Sequence, residues 1–317
     1  MQNDNFLIRH APHIKAAVTV PGMMYAVLIA LLPATVGGIY FFGLRVLVLV
    51  LVCVVTAVLT EYLTNLVMKK ELTIGDGSAA VTGLLLALSV SPLLPFFAAI
   101  LGTVFAVAIG KQLFGGLGFN IFNPALVGRA FLAAAFPVYM TRWVLPLAYK
   151  GIEAVSSATP LAAMKFQQQL TPYMKMFMGD VSGCAGETSA LLLLLGGLFL
   201  AGVGIINWRI PASYLGTVAL LGWFFWLINP AKYPDPIFHL LAGGLMLGAL
   251  FMATDPVTSP LTKKGMCVFG IGAGILVIVI RLFSGLPEGV MYSILIMNAL
   301  TPLINRYTRP RILGRNK

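Results

Sequence analysis

From Val46 to Thr60 the chain reads VLVLVLVCVVTAVLT, fifteen residues without a charge between Arg45 and Glu61. In water such a run would need apolar cover on every side. In a bilayer it is the ordinary composition of a spanning helix, for which ~20 mostly apolar residues cross the hydrocarbon core. Runs of this kind recur along all 317 residues, of which 59% are hydrophobic and 10% charged, at a mean hydropathy of +0.94. Soluble domains carry ~25% charged residues. The chain is therefore predicted to be an all-α polytopic membrane protein.

The apolar segments lie near 23–42, 45–67, 77–90, 92–110, 123–139, 189–206, 212–228, 236–253, 266–283 and 289–304, ten in all. Several begin at proline, as at Ser91-Pro92, Asn123-Pro124, Ile210-Pro211 and Pro234-Asp235-Pro236, where the missing N–H suits the first helical turn. The first twenty residues are polar and carry Arg9, His10, His13 and Lys15, so no cleavable signal is read there and the first span is expected to target the chain.

Ten spans put both termini on one side, and positive charge chooses it. With the termini inside, 13 of the 21 Lys and Arg residues fall on inner segments and 7 outside, Arg129 being left within a span. Both termini are thus expected in the cytoplasm of a prokaryotic cell, with 140–188 as an extracytoplasmic loop. The net charge of +11 is read as this topology signal. No basic block interleaved with aromatics suggests nucleic acid.

The halves echo each other. KQLFGGLGFNIFNPALVGRAFL from Lys111 aligns with IRLFSGLPEGVMYSILIMNALT from Ile280, and ALSVSPL with DPVTSPL. Five spans per half is odd, so the second copy would enter from the opposite face as an inverted repeat, in which short or broken helices build a site at the pseudo-twofold. Chance likeness among Leu- and Gly-rich helices is the other reading. The expected organisation is a cytoplasmic segment 1–22, a first repeat 23–139, the loop 140–188, a second repeat 189–304 and a basic tail 305–317.

Three constellations could carry chemistry. In Gly75-Asp76-Gly77-Ser78, Asp76 is either a helix cap or part of an ion or flavin site. In 115–129, GGLGFNIFNPALVGR, a glycine-rich turn carrying Asn120 leads to Asn123 at a helix cap, and the positive end of that helix suits an electron-rich ligand. Arg129, nearly two turns further, either pairs with a carboxylate or steadies a reduced flavin. In 251–265, FMATDPVTSPLTKKG, Thr254 and Asp255 offer oxygens for a small cation or a flavin N3–H, or form a plain capping turn. Asp76 and Asp255 are the candidates for a Na+ or H+ path. Glu61 is given little weight. The three cysteines make no disulfide or metal pattern. Three histidines, with no Gly-x-Ser-x-Gly or Walker sequence, argue against self-contained hydrolysis.

One further stretch, EAVSSATPL at 153–161, resembles a Ser-Gly-Ala-Thr flavinylation sequence. GKQLFGGLGFNIFNPALVGRAFL and FMATDPVTSP resemble hallmark stretches of the family that holds the D subunits of Rnf electron-transport complexes and the B subunits of the Na+-translocating NADH:quinone reductase. The likeness runs in order over nearly the whole chain, and the length is closer to the Rnf members. It implies a urea-transporter-like fold of two five-helix halves. It also implies FMN held by a phosphoester on Thr159, attached by a flavin transferase outside the cytoplasm. Ser156, Ser157 and Ala158 are the small neighbours that leave the hydroxyl open, and Pro160 would keep it out of a helix. Glu153 stands where the usual motif has Asp, and Ser157 where it has Gly. A second, noncovalent flavin, riboflavin, is implied on the cytoplasmic side and is placed by Asn120, Asn123, Arg129, Thr254 and Asp255. The expected role is electron transfer inside a multisubunit ferredoxin:NAD+ oxidoreductase that pumps Na+ or H+, incomplete alone. A small-solute channel or transporter is the alternative.

Overall fold

The computed structural model describes residues 19–147, 157–187 and 189–309; Glu153 and Ser156 of the flavinylation-like stretch lie outside them. All regular structure among these residues is helical. The order is α1 Val20–Phe42, α2 Leu44–Val67, a 3-10 turn Ile74–Asp76, α3 Ser78–Ser89 and α4 Phe96–Val104, which runs on as a π-helix Phe105–Gln112. Next come α5 Pro124–Ala135, α6 Pro137–Met140, α7 Pro160–Gln167, α8 Tyr173–Met178, α9 Ala190–Gly202 and α10 Arg209–Ile228. The chain closes with α11 Pro236–Leu241, α12 Leu245–Leu247 with a π-helical extension Gly248–Met252, α13 Lys263–Phe283 and α14 Val290–Thr308.

Four of these, α1, α2, α10 and α13, are long and apolar enough to cross a membrane, and several shorter apolar helices lie between them. The α2 sequence shows what the membrane does for the fold. Val48, Leu51, Val55 and Leu59 are all more than 40% exposed, while Val46, Leu49, Cys53, Ala57 and Glu61 are fully buried. An apolar stripe of that length on a soluble monomer would be an aggregation surface. Facing lipid it costs nothing, and the polar residues turn inward.

Three of the expected spans are corrected. The segment 123–139 is broken at Phe136, because Pro137 starts a separate four-residue helix. The segment 236–253 is not continuous either: α11 stops at Leu241, and the chain bends through Gly243, whose φ of +69° favours glycine. The segment 189–206 ends at Gly202, followed by Gly204 at φ +77°. The loop 140–188 carries two short helices, α7 and α8.

Some helix contacts of the first half have counterparts in the second. α2 lies on α3 and α4, as α10 lies on α11 and α13; α4 meets α5 as α13 meets α14; and α1 meets α9 while α5 meets α14. Close approach rests on glycine. A Cβ on Gly83 of α3 would stand 2.7 Å from the Cys53 carbonyl of α2, and one on Gly196 of α9 would overlap the Ala30 carbonyl of α1. Small residues at such crossings are how helices associate where lipid is as apolar as leucine.

Candidate functional site

Two cavities hold most of the residues singled out by sequence. The first lies beside the N-terminal ends of α3 and α5, lined by Ser78, Lys111, Asn120, Asn123, Thr254 and Asp255 among others. Its free volume is about 70 Å³, small against the ~300–1,000 Å³ of typical ligand pockets.

Four of the five residues grouped for the inner flavin meet here, but most are occupied with holding the backbone. Asn123 caps α5 by accepting from the Ala125 and Leu126 N–H groups at 3.0 and 3.3 Å, and its amide donates to the Met252 carbonyl at 3.2 Å. Its own N–H donates to Asn298 Oδ1, so one residue ties α5 to α14 and to the α12 extension. Thr254 bonds back to the Leu250 carbonyl, and Asp255 accepts from the Val257 N–H and the Thr258 hydroxyl. Asn120 donates to the Phe122 carbonyl and keeps a buried Oδ1 without a partner. A tricyclic isoalloxazine does not fit the cleft in this conformation.

Arg129 is corrected out of this group. Lying five residues past the start of α5, about 7 Å along its axis, it lines the second cavity. There its Nη2 donates to Glu288 at 2.7 Å and Glu187 at 3.3 Å. Glu288 also accepts from the Gly244 N–H at 2.8 Å. A Cβ on Gly244 would stand 2.7 Å from Glu288 and 2.9 Å from Glu187, so the break between α11 and α12 is what lets two carboxylates reach one arginine. Burial, and then the Glu288 carboxylate beside it, push the Glu187 carboxyl above the usual carboxylate range.

This second cavity holds about 610 Å³ and is lined by Ser157, Ala158 and Thr159 together with Arg129, Trp143 and Tyr292. Thr159 caps α7: its Oγ1 accepts from the Ala162 N–H at 3.3 Å, with Pro160 at the first helical position. Pro160 therefore starts a helix and does not prevent one, a correction to the sequence expectation, because the missing N–H is no loss in a first turn. Ser182 adds a buried hydroxyl without a partner to the wall.

Sequence reasoning gives little weight to Glu61, which centres a third cluster. Glu61 is fully buried and paired with Lys111 at 2.7 Å; Lys111 also donates to Ser78, while Gln112 and Thr73 donate to the same Glu61 oxygen. Ser78 in turn donates to Asp76, whose carboxylate also takes the Ser78 N–H at 2.8 Å. Asp76 is thus joined by hydrogen bonds to an ion pair at the edge of the first cavity. Among the described residues no group of His, Cys, Asp and Glu is arranged to hold a metal ion, and Asp76 and Asp255 share no such site. The signal for Glu61 is present in the sequence: a carboxylate within an apolar span must find a partner.

Residues 7–314 match the model of the NQR2, RnfD, RnfE family. The chain belongs to that family. Its relatives include the D subunit of the proton-translocating ferredoxin:NAD(+) oxidoreductase complex of Clostridium ljungdahlii, 46% identical over 98% of this chain and 96% of the relative. The D subunit of the Na(+)-translocating ferredoxin:NAD(+) oxidoreductase complex of Acetobacterium woodii is 46% identical over 100% of this chain and 98% of the relative. The corresponding subunit of an ion-translocating oxidoreductase complex of Stutzerimonas stutzeri is 42% identical over 94% and 93%. As an NQR2, RnfD, RnfE family member, the chain places its Thr-Pro pair and its buried arginine in the same cavity.

Proposed function

We propose that the chain is the D-type membrane subunit of an ion-translocating ferredoxin:NAD+ oxidoreductase, carrying FMN on Thr159. The observation that carries this reading is that Thr159 and Arg129 line the same 610 Å³ cavity, in a chain whose full-length relatives bear that name. Bound there, FMN would supply one- and two-electron chemistry.

The chain's own residues fit the group. Thr159 Oγ1 keeps a lone pair on the Ala162 N–H, and an ester oxygen accepts that bond as a hydroxyl oxygen does, so α7 stays capped. The phosphate would sit at the N-terminal end of α7, where the helix dipole favours negative charge. Trp143 and Tyr292 give flat walls for a ring. Arg129, held by two carboxylates, puts a fixed cation near the place where electron density would accumulate.

A second, noncovalent flavin by Asn120, Asn123, Thr254 and Asp255 would require the first cavity to open. The free Asn120 Oδ1 is the group left to accept from it. The ten-span inverted repeat belongs to the same reading. It is supported by the paired helix contacts of the two halves, with both termini in the cytoplasm of a prokaryotic inner membrane and Thr159 outside, in reach of a flavin transferase. Other membrane and peripheral subunits of the complex would meet the chain, with the inner flavin connecting to them on the cytoplasmic side. Asp76 and Asp255 stay as candidates for the Na+ or H+ path.

The test is direct. The protein is denatured, run on a gel and viewed for flavin fluorescence. The wild type should fluoresce and Thr159→Ala should be dark. A band of equal brightness from Thr159→Ala removes the attachment site, and a dark wild type removes the flavin. The channel alternative instead predicts colourless protein and solute uptake into liposomes.

A further inference from the structure

We propose that a separate cavity at the C-terminal ends of α10 and α13, formed by Lys232, His239 and Arg281, is a binding site for a phosphate group at the membrane surface. The cavity holds about 200 Å³, and among the described residues no carboxylate lines it. It adjoins the Thr159 cavity across Leu161 and Pro287, and the inference requires only that α10 and α13 span the bilayer.

Two residues in the wall of this space leave hydrogen bonds unmade, and their unpartnered nitrogens stay covered until the side chains turn. His239 is 2% exposed, and neither ring nitrogen has a partner. Arg281 is 4% exposed; it donates to the His239 and Ala242 carbonyls at 2.6 and 2.8 Å but leaves Nε without a partner. Buried donors are seldom left unpaired in native proteins, because the desolvation loss is not recovered. Two such residues on one cavity mark a place for an acceptor.

Charge points the same way. Glu187 and Glu288 pair with Arg129 and Asp235 caps α11 through the Phe238 N–H at 3.0 Å, and none of the three lines the cavity, whereas Lys165, Lys232 and Arg281 do. Lys165 spends its ammonium on the Arg281, Ser284 and Leu286 carbonyls, which offsets the negative end of the α13 dipole. Lys232 stands over the Tyr233 ring at 5.3 Å and carries no ion pair among the described residues. Arg281 and Lys232 therefore leave the cavity positive.

Position selects phosphate, the anion of the headgroup layer. Arg281 spends two of its five N–H groups on backbone carbonyls. Its remaining N–H groups, an imidazole and the exposed Lys232 ammonium arrive from α13, α11 and the turn between α10 and α11. Oxygens that point in different directions from a tetrahedral phosphorus match such donors. Because α10 ends at Ile228 and α13 at Phe283, and both are long and apolar enough to cross a membrane, the cavity lies at headgroup level. The phosphate can thus come from an anionic phospholipid or from solution.

The full chain is placed in phosphatidylcholine nanodiscs and exposed either to added phosphatidylglycerol or to inorganic phosphate at constant ionic strength. Retained lipid is counted by native mass spectrometry, and the unfolding midpoint is recorded. Binding of phosphatidylglycerol alone identifies a lipid site, and a midpoint raised by inorganic phosphate identifies a site open to solution. In either case Lys232→Gln and His239→Phe should weaken the effect about tenfold each, as loss of one contact to a charged group would. Lys232 is exposed, so its variant tests the site without risk to folding. No response to either additive, as from a cavity filled by water, or a response that both substitutions leave unchanged, overturns the proposal.

Discussion

Lys111 and Glu61 are each at most 1% exposed and meet at 2.7 Å, so neither charge can lose its partner cheaply. A buried pair adds little net stability compared with two apolar residues, but removing one partner strands the other charge at a cost of about 3–5 kcal/mol. Lys111→Met is therefore expected to lower stability by that amount, read by thermal unfolding in detergent. Adding Glu61→Met should restore most of it. If the double variant is no better than the single one, the pair is not the unit of stability described. The sequence shows the need for a partner but not its identity. Lys111 reads as a loop charge because a helix ending near 110 would leave it in solvent, whereas the π-helix over Phe105–Gln112 carries it into the core. Arg129 is misplaced by sequence for a related reason: its chain position suggests the near cavity, and its partners Glu187 and Glu288 come from segments 58 and 159 residues away, a distance no local pattern encodes.

At the scale of helices, the long spans are legible in the sequence and the interruptions are not. Apolar length fixes a helix such as α2 to within a residue or two, since in lipid every backbone group must be satisfied within the segment. The break at Ala242–Gly244 is signalled by its paired glycines, but a hydropathy run conceals it. Glycine explains the helix contacts better than hydropathy does. Gly196 of α9 faces the Ala30 carbonyl with no room for a Cβ, while a Cβ on Gly216 of α10 would meet nothing within 4 Å. Gly196→Ala should accordingly cost about 1–3 kcal/mol through forced separation of α1 and α9. Gly216→Ala should be neutral or stabilise by up to about 1 kcal/mol, because alanine is the better helix former. Unfolding midpoints of the two variants should move in opposite directions, or at least differ by that sum; equal shifts would mean that α1 and α9 do not depend on close approach.

For the whole molecule, orientation depends on which ends of the helices share a side of the membrane. Lys111 and Arg281 are buried, so both leave the loop-charge comparison, one from each side, and the bias keeps its sign. The proposed inverted repeat would put Glu71 and Lys264 on the cytoplasmic face and Lys175 and Lys232 outside, all four being exposed. With Cys53, Cys184 and Cys267 replaced, single cysteines at these positions can be labelled with a maleimide that does not cross membranes. Lys175→Cys and Lys232→Cys should react in intact cells whose outer envelope is made permeable. Glu71→Cys and Lys264→Cys should react only after the inner membrane is opened. Lys232 and Lys264 are the decisive pair, because the chain between them contains the broken α11–α12 segment and, among the described residues, no helix that meets the length of a full span. Labelling of both from the same side would mean that this segment dips in and returns. The second half would then cross the membrane an even number of times, and Thr159 and the chain's C-terminus would need to be oriented afresh.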